Sequence, residues 1–428
     1  MLTIAYLANE FPSPVEPYVS EEIAELRSRG VRVIAGSVRR PAPRDAEAAL
    51  CIPQIVLRPP RPGILLRGLA LSVRRWKHIW PLISRVLFHG RERPITRMKA
   101  LAHTWLGACY AVLLESSKPE HIHVHHGYLG SWIAMVAARL LGVEFSMTLH
   151  GSDLLLHPVY LDAKLNNCAF CLTVSEYNRA YILQRYRKVE AEKVVVARLG
   201  VEVPECSNPR GVKSRRNTFT ILAVGRLHPV KDHAFLLRAC SRLQAKAVDF
   251  QCLIVGDGPE RHSLESQVRD SGLRDRVTLM GHVARKRMNS WYERADVVVL
   301  TSRSEGIPLV LMEAMARGKL VLAPDITGIP ELVTSGETGF LYTAGSLNDF
   351  VVQLLSIYSL MQPSGDGQVQ PIRSGAVELN RIRGAAQAQV RRNFNREKRL
   401  RSFGDFFLQR IGQQAESVPH ENFVLQQI

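Results

Sequence analysis

The 428-residue sequence has no run of about 18 apolar residues, which excludes a membrane-spanning helix. It has only seven cysteines, too few for a disulfide framework in a chain of this length, so a reducing cytoplasm is expected. The amino terminus, MLTIAYLANE, lacks a basic leader and a small-residue cleavage site, and it reads as a strand of the mature protein. No aspartate pair of D-x-D type follows any candidate strand, so no required metal and no cofactor are expected. Hydrophobic residues make up 46% and charged residues 22%, a globular balance that excludes a largely disordered chain.

Acidic residues are scarce in two places. Residues 58–100 hold 11 Lys and Arg against a single acid, Glu92; residues 381–401 hold eight against Glu397. Together these segments carry the whole net charge of +17, and the rest of the chain is neutral. In the first, Leu66, Leu69, Val73, Trp76, Trp80, Ile83 and Leu87 recur at steps of three and four. This predicts one helical face over about 64–89, with Arg67, Arg74, Arg75, Lys77 and Arg85 largely off it. Pro81 is expected to kink or split the helix. A basic amphipathic helix bearing Trp fits an anionic membrane surface. No zinc-finger or RNP-like motif accompanies the charge, so nucleic acid is not an expected partner.

Along the chain, short apolar runs alternate with helix-period segments. Strands are predicted at 2–8, 31–37, 121–125, 144–149, 169–174 and 194–198. After a polar stretch they resume at 219–224, 250–255, 276–280, 295–301 and 319–323. This predicts an α/β chain with two doubly wound, Rossmann-like units. The expected domains are 1–205, a linker at 206–217, 218–395, a helix at 396–411 returning to the first domain, and a mobile tail at 412–428. Ligands in such sheets bind at the carboxyl ends of strands, and a cleft is expected where the two units face each other.

The stretch TSRSEGIPLVLMEAMARGKLVLAPDITGIPELV, residues 301–333, carries the most chemistry. A strand ends near Thr301 and a helix opens near Pro308, so the free N–H groups of Leu309 and Val310 form an anion site. Gly306 permits close approach of a ligand to the backbone. Glu305 and Glu313 flank that site and suit paired hydroxyls of a sugar. In VGRLHPVKD, residues 224–232, Arg226 and Lys231 supply cations that could stabilise a diphosphate leaving group without a metal.

The acid pair stands in E-G-x-P-x4-E-A-M-A-x-G, with V-G-R-L…K and Gly256-Asp257-Gly258-Pro259 upstream. With these elements in order, the sequence resembles the retaining GT-B glycosyltransferases of family 4, over nearly its whole length. The resemblance implies two Rossmann-like domains facing across a cleft and transfer of a sugar from a nucleotide-diphosphate donor, with retention and without a metal. It implies that Glu313 binds ribose hydroxyls, that Glu305 holds the donor sugar and that Arg226 and Lys231 bind the diphosphate. Backbone of Gly306, Ile307, Pro308, Leu309 and Val310 would touch sugar and phosphate. TLHGSDL, 148–154, resembles the family's T-x-H-G-x-D element: His150 would face the donor sugar and Asp153 would order the loop on the acceptor side. Residues 11–33 and HVHHG at 123–127 resemble exopolysaccharide and colanic-acid-type members. The implied acceptor is a growing, lipid-linked glycan at the inner face of the cell membrane, and the implied enzyme is cytoplasmic and peripheral.

Other readings stand beside this one. The same fold serves sugar-nucleotide epimerases, and a non-catalytic assembly subunit could keep it for binding. His121, His123 and His125 share one strand face but are too crowded for one ion, and no carboxylate or Cys partner is expected close by, so no metal site is expected. Cys168 and Cys171 read as buried core thiols, and Glu331 as a helix cap. RLGVEV, 198–203, resembles the family's N-G-V-D element, but Arg198 and Glu202 replace its usual residues and take no role from it.

Overall fold

The computed structural model describes the chain except residues 14–15, 41–54, 59, 90–91, 205–217, 363–372 and 418–428, and except the side chains of 373–374 and 413–417. The expected linker therefore lies outside the described residues. The chain forms two compact units, one of Met1–Thr173, Ile182–Ala197 and Lys398–Ile428, the other of Val174–Tyr181 and Arg198–Glu397.

The first unit is built on a seven-stranded sheet: β1 (Thr3–Glu10), β2 (Arg32–Arg39), β3 (Ile55–Val56), β4 (His121–His125), β5 (Glu144–Leu149), β6 (Cys171–Thr173) and β7 (Val194–Val196). Their order is β3-β2-β1-β4-β5-β6-β7, all parallel. The side chains of Thr3–Ala8 and His121–His125 are all buried, as expected of strands covered on both faces. The last described helix, Arg396–Ser417, buries Phe403, Phe407 and Ile411 against this unit's core. It runs past residue 411, so the tail expected from 412 is helical as far as Ser417.

The second unit holds β8 (Phe219–Val224), β9 (Phe250–Val255), β10 (Val277–Gly281), β11 (Val297–Val299), β12 (Leu320–Pro324) and β13 (Phe340–Tyr342). They form a parallel sheet in the order β10-β9-β8-β11-β12-β13. Strand order reverses between β1 and β4 in the first sheet and between β8 and β11 in the second. Those are the two places where such sheets open a crevice for ligands.

The basic segment departs from its expected shape. Two helices, Pro62–Arg74 and Trp76–Leu87, break at Arg75, and Pro81 lies inside the second. Proline leaves the carbonyl four residues back without its donor, but Lys77 is exposed and water can serve it. The packed residues are Gly68, Ile79, Leu82 and Val86. The predicted apolar stripe faces outward, as a surface-seeking face would: Leu66, Leu69, Val73, Trp76 and Trp80 are 45–69% exposed. Among the described residues no helix is long and apolar enough to cross a membrane.

Candidate active site

In the second unit the predicted residues converge at the β8/β11 crevice. The loop after β11 is tied to the loop after β8 by Thr301 Oγ1 donating to the Lys231 carbonyl (2.8 Å) and by Arg303 N donating to the Val230 carbonyl (2.8 Å). Gly256 and Gly258 make the Gly-Asp-Gly-Pro element part of the same floor. A Cβ on Gly256 would lie 1.9 Å from the Gly225 carbonyl oxygen, and one on Gly258 2.4 Å from that of Leu227. Only glycine fits there, so this element shapes the Gly225–Leu227 backbone beneath Arg226, whose side chain is exposed.

The helix Leu309–Ala316 begins one residue later than expected, with Pro308 in the extended conformation at its cap. Its free N–H groups and Ile307 lie beside Glu305. Glu305 and Lys231, to which separate roles were given, are joined: Lys231 Nζ lies 2.5 Å from Glu305 Oε1, both side chains partly buried. In this arrangement each charge neutralises the other.

Glu313 stands in the second turn of this helix, half-buried, and accepts a hydrogen bond from Tyr292 Oη at 2.7 Å. Tyr292 is buried in the helix Met288–Arg294, and the Arg317 guanidinium covers its ring at 5.2 Å. Burial, with the Glu313 carboxylate beside it, holds the Tyr292 phenol well above its ordinary value, so it remains a donor. No spacing in the sequence marks Tyr292. Tyr292→Phe is expected to raise the nucleotide dissociation constant about fivefold, the worth of roughly one hydrogen bond, with an unchanged melting temperature as control.

In the first unit, Asp153 organises the loop after β5. It is fully buried and accepts from the backbone N–H of Gly127 (2.8 Å), His150 (3.1 Å) and Gly151 (2.8 Å). Gly151 has φ +151°, a conformation that favours glycine. His126 lies between two acids, its Nε2 3.0 Å from Glu16 Oε1 and its Nδ1 3.6 Å from Asp153 Oδ2. Burial opposes its charge, but the two carboxylates prevail and push it up to about 10. Lys164 is buried beneath the same loop and donates to the carbonyls of Gly127, Tyr128 and Val159 at 2.7–2.8 Å.

Contrary to expectation, the β4 histidines do have a carboxylate beside them. Glu22, distant in sequence, is buried against them, and its carboxylate and the nitrogens of His123 and His125 come within 4.8 Å of one another. The ring nitrogens are already engaged, however: those of His123 by Ser146 Oγ (2.7 Å) and Thr148 Oγ1 (3.0 Å), those of His125 by Glu22 and His150. Cys168 and Cys171 are free, buried thiols, and burial pushes Cys168 up to about 12.

Residues 15–204 match the family model described as Glycosyltransferase Family 4, and residues 218–359 match Glycosyl transferases group 1. The chain belongs to the family 4 glycosyltransferases. Among curated relatives, the amylovoran biosynthesis glycosyltransferase AmsK of Erwinia amylovora is 30% identical over 221 residues, covering 50% of each chain. The putative colanic acid biosynthesis glycosyltransferase WcaL of Escherichia coli K12 is 35% identical over 156 residues, covering 35% of this chain and 38% of WcaL. The matched region thus spans half or less of these relatives. Of solved structures, sucrose-phosphate synthase from Thermosynechococcus elongatus aligns with TM-score 0.71 at 17% identity, over 97% of this chain and 100% of its own. Anabaena HepE in complex with UDP aligns with TM-score 0.66 at 17% identity, over 96% and 100%. These likenesses establish the GT-B fold.

This family 4 chain also fills positions for which the motifs gave no role. Glu331 Oε2 accepts from Glu176 N (3.0 Å) and its Oε1 from Tyr177 N (2.8 Å), so it caps the helix Glu176–Arg185 across a gap of 154 residues or more. Arg198 holds Glu331 at 2.9 Å. The arginine that replaces the family's usual residue thus has a local structural task.

Proposed function

We propose that this protein is a retaining, metal-independent glycosyltransferase that moves a sugar from a nucleoside-diphosphate donor to a growing, lipid-linked glycan of exopolysaccharide type. The observation that carries the reading is the Lys231–Glu305 pair and the Tyr292-held Glu313 around one helix start at the β8/β11 crevice. Lys231 and Arg226 would meet the diphosphate charge, and Glu313 would accept from the ribose hydroxyls. Leaving-group charge would be met by two cations and by the helix N–H groups, work a metal does at other sites. With no side chain assigned as nucleophile, the leaving phosphate would assist front-face attack by the acceptor hydroxyl and take its proton, which retains the anomeric configuration. The names of AmsK and WcaL support an exopolysaccharide acceptor, and the HepE complex supports UDP as the first nucleotide to try.

The test is calorimetric titration of the full chain with UDP, GDP and ADP in EDTA. Saturable binding of one of them is expected, and binding of none would overturn the donor-site assignment. Turnover of the matching sugar nucleotide in EDTA, with the product's anomeric configuration read by NMR, tests metal independence and retention.

The outward stripe of the basic segment supports a peripheral position on the cytoplasmic face of the cell membrane. The helix Pro94–Leu114 adds exposed Ile95, Met98 and Trp105. Gly68 explains the sidedness, since a Cβ there would lie 2.9 Å from Cys109 Sγ. That close approach consumes one face and leaves the other to the headgroup region. The double variant Trp76→Ser, Trp80→Ser is expected to weaken sedimentation with anionic phosphatidylglycerol vesicles at least tenfold, because each indole contributes roughly 1.5 kcal/mol or more on burial. Equal sedimentation of variant and parent would remove the membrane assignment.

A further inference from the structure

The family motif gives His150 a place beside the donor sugar and leaves His125 and Glu22 without a task. The structure joins all three at the carboxyl ends of the central strands. Glu22 lies on the helix Pro17–Ser28 and is 5% exposed. Its Oε2 accepts from Tyr6 Oη at 2.7 Å and lies 3.0 Å from His125 Nε2. His125 Nδ1 lies 3.0 Å from His150 Nε2. The chain Tyr6–Glu22–His125–His150 thus runs from the buried sheet to a half-buried imidazole.

The direction of the hydrogens follows from the chemistry of the end group. An ionised carboxylate can only accept, so His125 Nε2 carries its hydrogen. A His125 ring with one hydrogen then holds its lone pair on Nδ1, which accepts from His150 Nε2; a doubly protonated His125 would reverse that bond. The singly protonated ring leaves the lone pair of His150 on Nδ1. The ring is held from its sides as well. Tyr18 stacks on it with centroids 4.6 Å apart, and His126 lies 4.5 Å away. Burial and then the cationic His126 keep the His150 imidazole neutral, its pKa well below the ordinary value.

We propose that His125 carries a single hydrogen, directed at Glu22, and that the two are positioning residues that fix His150 as a hydrogen-bond acceptor through Nδ1. His150 then takes the hydrogen of a ligand hydroxyl instead of offering one. The assignment rests on the glycosyltransferase reading for its use, but not for its existence. A buried acid costs several kcal/mol unless it is paired, and an apolar residue would fill the same volume more cheaply. What Glu22 adds is a fixed polarity along the chain.

The test uses the full chain labelled with 15N-histidine, with His150→Gln to assign the ring signals. In the parent, His150 Nδ1 is expected at the shift of a bare ring nitrogen and Nε2 at that of an N–H. His125→Phe keeps the bulk and the ring contacts but removes the acceptor, and the Nδ1–H form should then become populated. Its kcat is expected to fall by roughly 10- to 100-fold, the cost of a displaced reacting contact. Its nucleotide dissociation constant should stay within about twofold of the parent, because Glu313 and Tyr292 are untouched. His125→Asn retains an oxygen acceptor for His150 and should recover most of the lost rate. Unprotonated Nε2 in the parent, unchanged ring shifts in His125→Phe, or an unchanged kcat in that variant would each overturn the proposal. Because the ring shifts are read without donor, failure of the parent to bind any nucleotide would count against the proposed function alone.

Discussion

Glu313→Ala is expected to weaken binding of the matching nucleoside diphosphate by roughly 30- to 1000-fold, while Glu305→Ala leaves that affinity equal or tighter and removes turnover. The two glutamates sit eight residues apart and look alike in sequence, but their surroundings differ. Glu313 is aimed by one neutral donor, Tyr292, and keeps acceptor capacity for two ribose hydroxyls. Hydrogen bonds to a charged group are each worth about 1.5–3 kcal/mol, so losing the carboxylate should cost roughly 2–4 kcal/mol after partial replacement by water. Glu305 is committed to Lys231. On the proposed reading, its removal would free a cation for the diphosphate, offsetting any lost contact to the nucleotide, and would delete the acceptor for the sugar. Calorimetry of both variants, with turnover measured beside it, separates the roles. A Glu305→Ala chain that fails to bind nucleotide would mean that the pair acts as a structural clamp.

The contrast also indicates what a sequence can carry. The motif at 301–333 was legible because its parts are local: strand end, glycine, helix start and two acids fall within one turn of chain direction. Most strands were legible for a related reason, since parallel strands buried on both faces must be apolar runs. β3 has two residues, too short for any period to register, and β13 is an apolar run of only Phe340, Leu341 and Tyr342, whereas the equally short β6, β7 and β11 lie in longer apolar runs. The helix break at Arg75 was misplaced because Pro81 is the louder signal, yet proline is tolerated where its orphaned carbonyl meets water. The period of Leu66, Leu69 and Val73 suits a core face as well as a membrane-surface face, and packing shows that the core takes the opposite side. Tyr292 and Glu22 were invisible because their partners lie 21 and 103 residues away, and nothing but the folded sheet brings them together.

Removing Asp153 is expected to cost the first unit about 3–5 kcal/mol, since it leaves a buried imidazolium without one of its two carboxylates. Three backbone N–H groups lose their acceptor as well. The pH dependence of the intact pair has a definite sign. Burial opposes the Asp153 charge, but His126 and the loop N–H groups hold its pKa below the ordinary carboxylate range. Its contribution is therefore full above the unfolded value of about 3.9 and is lost as pH falls below it. His126 is pushed up to about 10, so its contribution is full below the unfolded value of about 6.5 and is lost as pH rises toward 10. Lys164 works the other way, because burial pulls it down to about 7 and its protonated form weighs against folding until pH rises through its unfolded value. The two alkaline effects overlap, so the parent's melting curve alone cannot separate them. The difference between parent and His126→Gln can. That difference should be largest near pH 5 to 6 and shrink steadily toward pH 10, while the Lys164 contribution cancels between the two proteins. A difference that does not change between pH 6 and pH 10 would mean that His126 is neutral in the folded chain, and the imidazolium beside His150 would have to be abandoned with it.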